Sequence, residues 1–259
     1  MAPQEHGDRI ERLVALLGSE EFAEREAATE ALAEAGAEAL PALRRALTSD
    51  DVEVRRRAAD LVRVIDARIA QRQRERAVAS VKAWRGAIYE DNRGLERVVV
   101  GVDYTTTRVT DAGLELVGWL RDLDELQLSD TAITDKGLAH LRGLERLTIL
   151  EIHATGVTDA GFAQLKGMRR LRILGAGDTK VTDAGLAHLS AMENLQILDL
   201  SRTAVTDAGL ARLKKLVVCH TSDLGWLALA VSRIIAATTH GCPDEIETAS
   251  SQVTCVTDH

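Results

Sequence analysis

A chain of 259 residues can hold one elongated domain or two small ones, and with 46% hydrophobic but only 3% aromatic residues its core must be built from Leu, Val, Ile and Ala. The formal net charge of -8 argues against a general binder of nucleic acid or anionic membranes. The opening MAPQEHGDRI has neither the basic n-region nor the apolar h-region of a signal peptide, so a soluble, cytoplasmic protein is expected.

Residues 8–48 and 50–90 show no strand-like alternation and almost no breakers, which predicts helices. A weak internal repeat runs through them at a spacing of 30. Ser19-Glu20-Glu21-Phe22 matches Ser49-Asp50-Asp51-Val52, Arg25 matches Arg55, Ala28 matches Ala58, and Leu32 matches Val62. Between the copies, Leu40, Leu43 and Leu47 share one helical stripe, with Pro41 tolerable in a first turn. These residues resemble HEAT-type helix pairs, a resemblance that implies α-solenoid packing and protein binding. The last helix is expected to run from Val52 to about Tyr89, with Trp84, Ile88 and Tyr89 covering the edge of whatever follows. The basic run Arg68, Arg72, Arg74, Arg76, Lys82 and Arg85, set against Glu75, reads as a solvated helix face.

From residue 93 a strict repeat begins. Thr-Asp-x-Gly-(Leu/Phe) starts at Thr110, Thr134, Thr158, Thr182 and Thr206, each 24 residues after the last. The apolar columns move in step: Leu123, Leu147, Leu171 and Leu195; Leu126, Leu150, Leu174 and Leu198; then Leu128, Ile152, Ala176 and Leu200. The first copy fills these columns with Val99, Val102 and Tyr104. The L-x-L segment alternates with period two, as a short strand does. Thr134 then Asp135 has helix-start chemistry, a hydroxyl cap and a carboxylate at the positive end of the dipole. Leu138, Leu141 and Leu144 follow at helical spacing, and Gly137 is expected to allow a close backbone approach.

The pattern L-x-x-L-x-L-x-x-T-x-V-T-D-x-G-L resembles the leucine-rich repeat family, in a bacterial-looking form with Thr where that family often has Asn or Cys. The resemblance implies an α/β solenoid, with a parallel sheet on the concave side and helices on the convex side, behind an all-α HEAT-like module. A second column, Thr107, Thr131, Thr155, Thr179 and Thr203, is expected to satisfy loop backbone groups of neighbouring turns. The expected domains are a helical module and cap over 1–92, five repeats over 93–216, and a degenerate cap with a disordered tail over 217–259.

After Leu216 the pattern fails, with Cys219 and Ala230 where Leu and Thr are due. Residues 224–237 could form a capping helix. They are interrupted by Arg233 and too short to span a bilayer. The tail could equally be a shifted reading frame over a decayed repeat. It holds all three cysteines, so no disulfide framework supports the main body. Cys219-His220, His240, Cys242, Cys255 and His259 match no closed zinc signature, and neither a metal site nor a Cys242–Cys255 disulfide is expected.

Function, on this reading, lies on the concave face, where residues flanking the inward leucines are least constrained. Five strands at about 4.8 Å give a face roughly 20 Å across, suited to a peptide or helix. Asp103, Glu125, Glu151 and Asp199 form an acidic diagonal with Gln127 and His153 among them, and Ile149, Ile173 and Ile197 form an apolar stripe beside it. The expected role is a non-enzymatic scaffold for a protein or peptide carrying basic residues next to an apolar anchor, with no cofactor, nucleic acid or membrane. Two alternatives stand. The chain could be the recognition arm of a larger regulatory assembly, docking through its N-terminal helices. Glu151 and His153 could be an acid–base pair, though no nucleophile, metal or pocket accompanies them in the sequence and no nucleotide-binding or nucleophile-elbow motif occurs.

Overall fold

A computed structural model describes residues 3–93, 96–211, 213 and 217–219. Contacts divide the chain into two compact units, 1–75 and 76–259. The expectations for the tail beyond Cys219 lie outside the described residues.

The first unit holds α1 (Pro3–Leu16), α2 (Phe22–Ala35), a short 3-10 turn, α3 (Leu40–Ala46) and the start of α4 (Val52–Ala83). The 30-residue spacing has a geometric counterpart. Arg25 and Arg55 each donate from Nη1 back to a serine carbonyl, of Ser19 at 2.6 Å and of Ser49 respectively. Ser19 and Ser49 hydroxyls accept from the backbone two residues on, both at 3.2 Å. Ala28, Leu32 and Ala58 are buried in one hydrophobic cluster. Pro41 sits in the first turn of α3, where its missing N–H has no helical partner to lose. Asp51 caps α4 through the amides of Glu53 at 2.8 Å and Val54 at 3.2 Å. Arg57 ties α4 to α2, donating to Glu26 at 2.8 Å and Thr29 at 3.1 Å. Leu40 and Leu43 enter the core as expected, but Leu47 is 39% exposed because the helix has already ended at Ala46.

The helix expected to reach Tyr89 stops at Ala83. Arg85 takes φ 62°, and residues 87–93 become β1 (Ala87–Arg93), antiparallel to β2 (Glu96–Asp103). Pairing with β2 overrides local helix propensity, because it covers the backbone groups that the first strand would otherwise expose. Trp84 and Ile88 pack against the core.

Five further strands follow in parallel, β3 (Glu125–Gln127), β4 (Ile149–Glu151), β5 (Ile173–Gly175), β6 (Ile197–Asp199) and β7 (Val217–Cys219), giving one seven-stranded sheet in sequence order. Short helices α5 (Asp111–Leu114), α6 (Asp135–Ala139), α7 (Asp159–Leu165), α8 (Asp183–Leu189) and α9 (Asp207–Leu210) alternate with the strands and pack side by side. The central register row is Val102, Leu126, Leu150, Leu174 and Leu198, every member fully buried. The next step is shorter: Leu198 pairs with Val218, so the last turn runs 20 residues and the Leu expected at 219 has no place in the register.

The Thr-Asp-x-Gly motif is a joint between repeats. Asp135 accepts from Thr158 of the following repeat twice, from its N–H at 2.8 Å and its hydroxyl at 2.7 Å. The pairs Asp111–Thr134, Asp159–Thr182 and Asp183–Thr206 do the same. Glycine follows from the same geometry: a Cβ on Gly137, Gly161 or Gly185 would sit 2.5 Å from the preceding repeat's Asp Oδ1. At the first repeat no such Asp exists, and the Trp84 indole lies 3.0 Å from that point on Gly113. The threonine also caps its own helix, but weakly, at 3.3–3.4 Å in α6, α7 and α8. The second threonine column works within its own turn rather than between turns. Thr131, Thr155, Thr179 and Thr203 donate to the carbonyl three residues back, at 2.5–2.7 Å. That bond braces a tight corner whose preceding residue is left-handed in every copy: Thr106, Asp130, Ala154, Asp178 and Arg202 have φ of 50–60°.

Candidate binding face

Alternation along each strand turns the central leucine row into the core and the two flanking rows to the opposite, outer face of the sheet. One row reads Tyr89, Gly101, Glu125, Ile149, Ile173 and Ile197; the other reads Asp103, Gln127, Glu151, Gly175 and Asp199. All nine residues expected to contact a partner belong to these rows or, for His153, continue them beyond β4. They divide by accessibility. Asp103, Glu125 and Gln127 are half-buried. Ile149, Ile173 and Ile197 retain only 5%, 0% and 7% exposure, and Glu151 and Asp199 5% and 3%. The accessible part of the face therefore lies over β1 to β3, while the apolar stripe and the far acids are enclosed.

Tyr89 is a member the sequence reading placed elsewhere, on a helix. As a strand residue it pairs with Gly101, its ring lies over that glycine, and it stays 53% exposed, two strands from Glu125 in the same row. Glu125 is oriented by the Gln127 amide, which donates to Oε1 at 2.9 Å. Asp103 and Asp199 each hold the turn after their strand, accepting from the amides of Thr105 and Ser201 at 2.7 Å.

On β4 and β6, Glu151, His153 and Asp199 converge. His153 Nε2 lies 2.9 Å from Glu151 Oε2 and 3.9 Å from Asp199 Oδ2. The nearer contact is an ion pair whenever the imidazole is protonated. Burial works to lower the His153 pKa, but the Glu151 carboxylate beside it, then Asp199 and Asp130, outweigh it and hold the imidazole above its ordinary value. Gly175 and Gly177 give this cluster its room: Glu151 and His153 lean across β5 where side chains would stand, and Ser201 leans in from β6. No hydrogen bond joins His153 to Ser201, so the hydroxyl is not prepared as a nucleophile. The arrangement can hold a proton. Among the described residues no group of three or more His, Cys, Asp and Glu is placed to hold a metal ion, and no helix is long and apolar enough to cross a membrane.

The family model described as Leucine Rich repeat matches residues 120–141 and 191–214. Among solved structures the chain is similar to internalin C2 of Listeria monocytogenes, at 29% identity over 41% of this chain and 46% of that one, with a TM-score of 0.36. It is also similar to the ectodomain of the receptor kinase SOBIR1 of Arabidopsis thaliana, at 16% identity over 56% of this chain and 90% of that one, with a TM-score of 0.42. The match thus spans under half of the internalin. No curated protein matches the sequence.

Proposed function

The 24-residue units being leucine-rich repeats, we propose that the chain is a non-enzymatic recognition module that binds a basic, apolar-anchored peptide segment of a protein partner on the outer face of its sheet. The observation that carries this is the row Tyr89–Gly101–Glu125. It sets an exposed aromatic ring, the glycine buried beneath it and an oriented carboxylate in one row across paired strands. An aromatic face and a carboxylate in one row favour a partner with lysine or arginine, which can stack on the one or pair with the other. Asp103 and Gln127 extend the polar side of the contact, and Ile149 continues the row toward the apolar stripe. Peptides selected from a displayed library against the whole chain should be rich in Lys or Arg next to an apolar residue. Glu125→Lys and Tyr89→Ala should each reduce their capture by tenfold or more while leaving cooperative unfolding intact; undiminished capture would count against this face.

A second reading draws on the N-terminal unit. Phe22 and Val52 occupy equivalent positions of the two 30-residue copies and are 65% and 68% exposed. Apolar side chains left in water at matched positions support a HEAT-like docking end for a larger assembly. Capture that survives Glu125→Lys and is lost in Phe22→Ser would favour that role.

A further inference from the structure

The basic run on α4 takes no part in the outer sheet face, and it lies on the least covered stretch of that helix: from Asp66 to Arg76 no residue is buried. Arg68, Arg72 and Arg76 follow one another at intervals of four, which sets three guanidinium groups in a file on one side of the helix. Like charges at that spacing repel and cost helix stability. Arg68 donates to the Ala33 carbonyl at 3.4 Å, while Arg72 and Arg76 have no partner among the described residues. The α2 helix repeats the arrangement with the opposite sign. Glu26, Glu30 and Glu34 stand four apart, and Arg25 is the one base on that helix. Glu26 is held by Arg57, but Glu30 and Glu34 are exposed and have no partner among the described residues. Glu34 also falls in the last turn, where the helix dipole disfavours a carboxylate and no basic residue offsets it.

We propose that these two files are the halves of a contact between copies of this chain, the α4 arginines of one copy seated along the α2 glutamates of another. Both files advance by four residues, about 6 Å along the axis, so two helices laid side by side bring each guanidinium opposite a carboxylate. Each file destabilises the helix that carries it, and the other relieves it. A second copy is the occupant because one chain carries both signs at the same pitch and leaves both largely unneutralised. The net charge of -8 opposes association, so the contact is local and sensitive to salt. A single exposed ion pair contributes little, and the strength lies in the repetition. No residue of the sheet is involved, so the contact stands whether or not a peptide binds there.

Sedimentation velocity of the whole chain reads the contact directly. A concentration series is run in sodium chloride at about 0.1 M and about 1 M, where the screening length falls from about 10 Å to about 3 Å. Association at the lower salt should weaken by about tenfold or more at the higher. The double variant Arg72→Glu, Arg76→Glu should stay monomeric at both salts, and so should Glu30→Arg, Glu34→Arg. Mixed in equal amounts the two variants should associate again, because each reversed file then meets its new counter-charge and each native file its old one. Restored association also shows that both variants are folded. Where a reversal unfolds the chain, as circular dichroism reports, Arg72→Gln, Arg76→Gln replaces it and should weaken association by about tenfold. A native chain that is monomeric at the lower salt would overturn the contact. So would association indifferent to salt or to these substitutions, or a mixture of folded variants that stays monomeric.

Discussion

Replacing Gly185 by alanine tests the inter-repeat joint, because its effect should depend on a residue in the preceding repeat. In the native chain Asp159 accepts from Thr182 twice, each bond 2.8 Å long. Hydrogen bonds to a charged acceptor contribute roughly 1.5–3 kcal/mol each, and partial exposure puts these at the low end, about 3 kcal/mol for the pair. A Cβ on Gly185 would lie 2.5 Å from Asp159 Oδ1, so the carboxylate must move off both bonds. Alanine in a helix gains about 1 kcal/mol over glycine, which crowding against Val181 roughly offsets, leaving Gly185→Ala destabilising by about 3 kcal/mol. Asp159→Ala alone should destabilise by about 3 kcal/mol. With the carboxylate already gone, alanine at 185 meets chiefly Val181 Cγ1, 3.0 Å from its Cβ, and the helix gain roughly offsets that crowding. The second substitution should then change stability by less than about 1 kcal/mol, a coupling near 3 kcal/mol. Urea unfolding of the four proteins at neutral pH measures it. Additivity within about 0.5 kcal/mol would refute the joint.

Three other outcomes follow from the geometry. His153 is held above the ordinary histidine value in the fold, so its contribution to stability is complete below about pH 6.5 and fades as pH rises through the folded midpoint. The urea-midpoint difference between wild type and His153→Gln should shrink across that window, and a constant difference would exclude the linkage. The Tyr104 hydroxyl is buried without a hydrogen-bond partner, and burial pushes the phenol well above its ordinary pKa. Tyr104→Phe should stabilise the chain by about 1 kcal/mol, visible as a raised thermal midpoint. Ala154 sits at φ 50°, where a Cβ is strained and asparagine is better tolerated. Ala154→Asn should gain about 0.5–1 kcal/mol in urea unfolding, and a loss would mean the corner is not strained.

The repeating part of the fold was legible because one column of leucines, spaced by 24, can be buried only if the turns stack in register. Leu126, Leu150, Leu174 and Leu198 stand in that row. The hairpin was not legible: Ala87–Arg93 carries helix-compatible residues, and what makes it a strand is pairing with β2, a tertiary effect. The motif's Asp and Gly were read as belonging to one helix, since periodicity shows which residues recur but not which copies they join. The shortened last turn was hidden for a related reason, because a turn four residues shorter leaves no mark once the leucine pattern has ended. On the outer face the rows were correctly aligned from sequence, but their accessibility was not. Whether Ile173 is open or enclosed, and whether Glu151 stands up or leans over Gly175, depends on packing across three strands.

Recognition of a partner on the outer sheet face at β1 to β3 is open to direct measurement. Site-specific photocrosslinking measures this most directly, with a photoreactive residue placed singly at Tyr89, Gln127 or Phe22 of the whole chain and a selected basic peptide as bait. Adducts are expected at 89 and 127, suppressed by Glu125→Lys, with none at 22. Crosslinking at 22 alone, or adducts at 89 and 127 indifferent to the Glu125 charge, would contradict it.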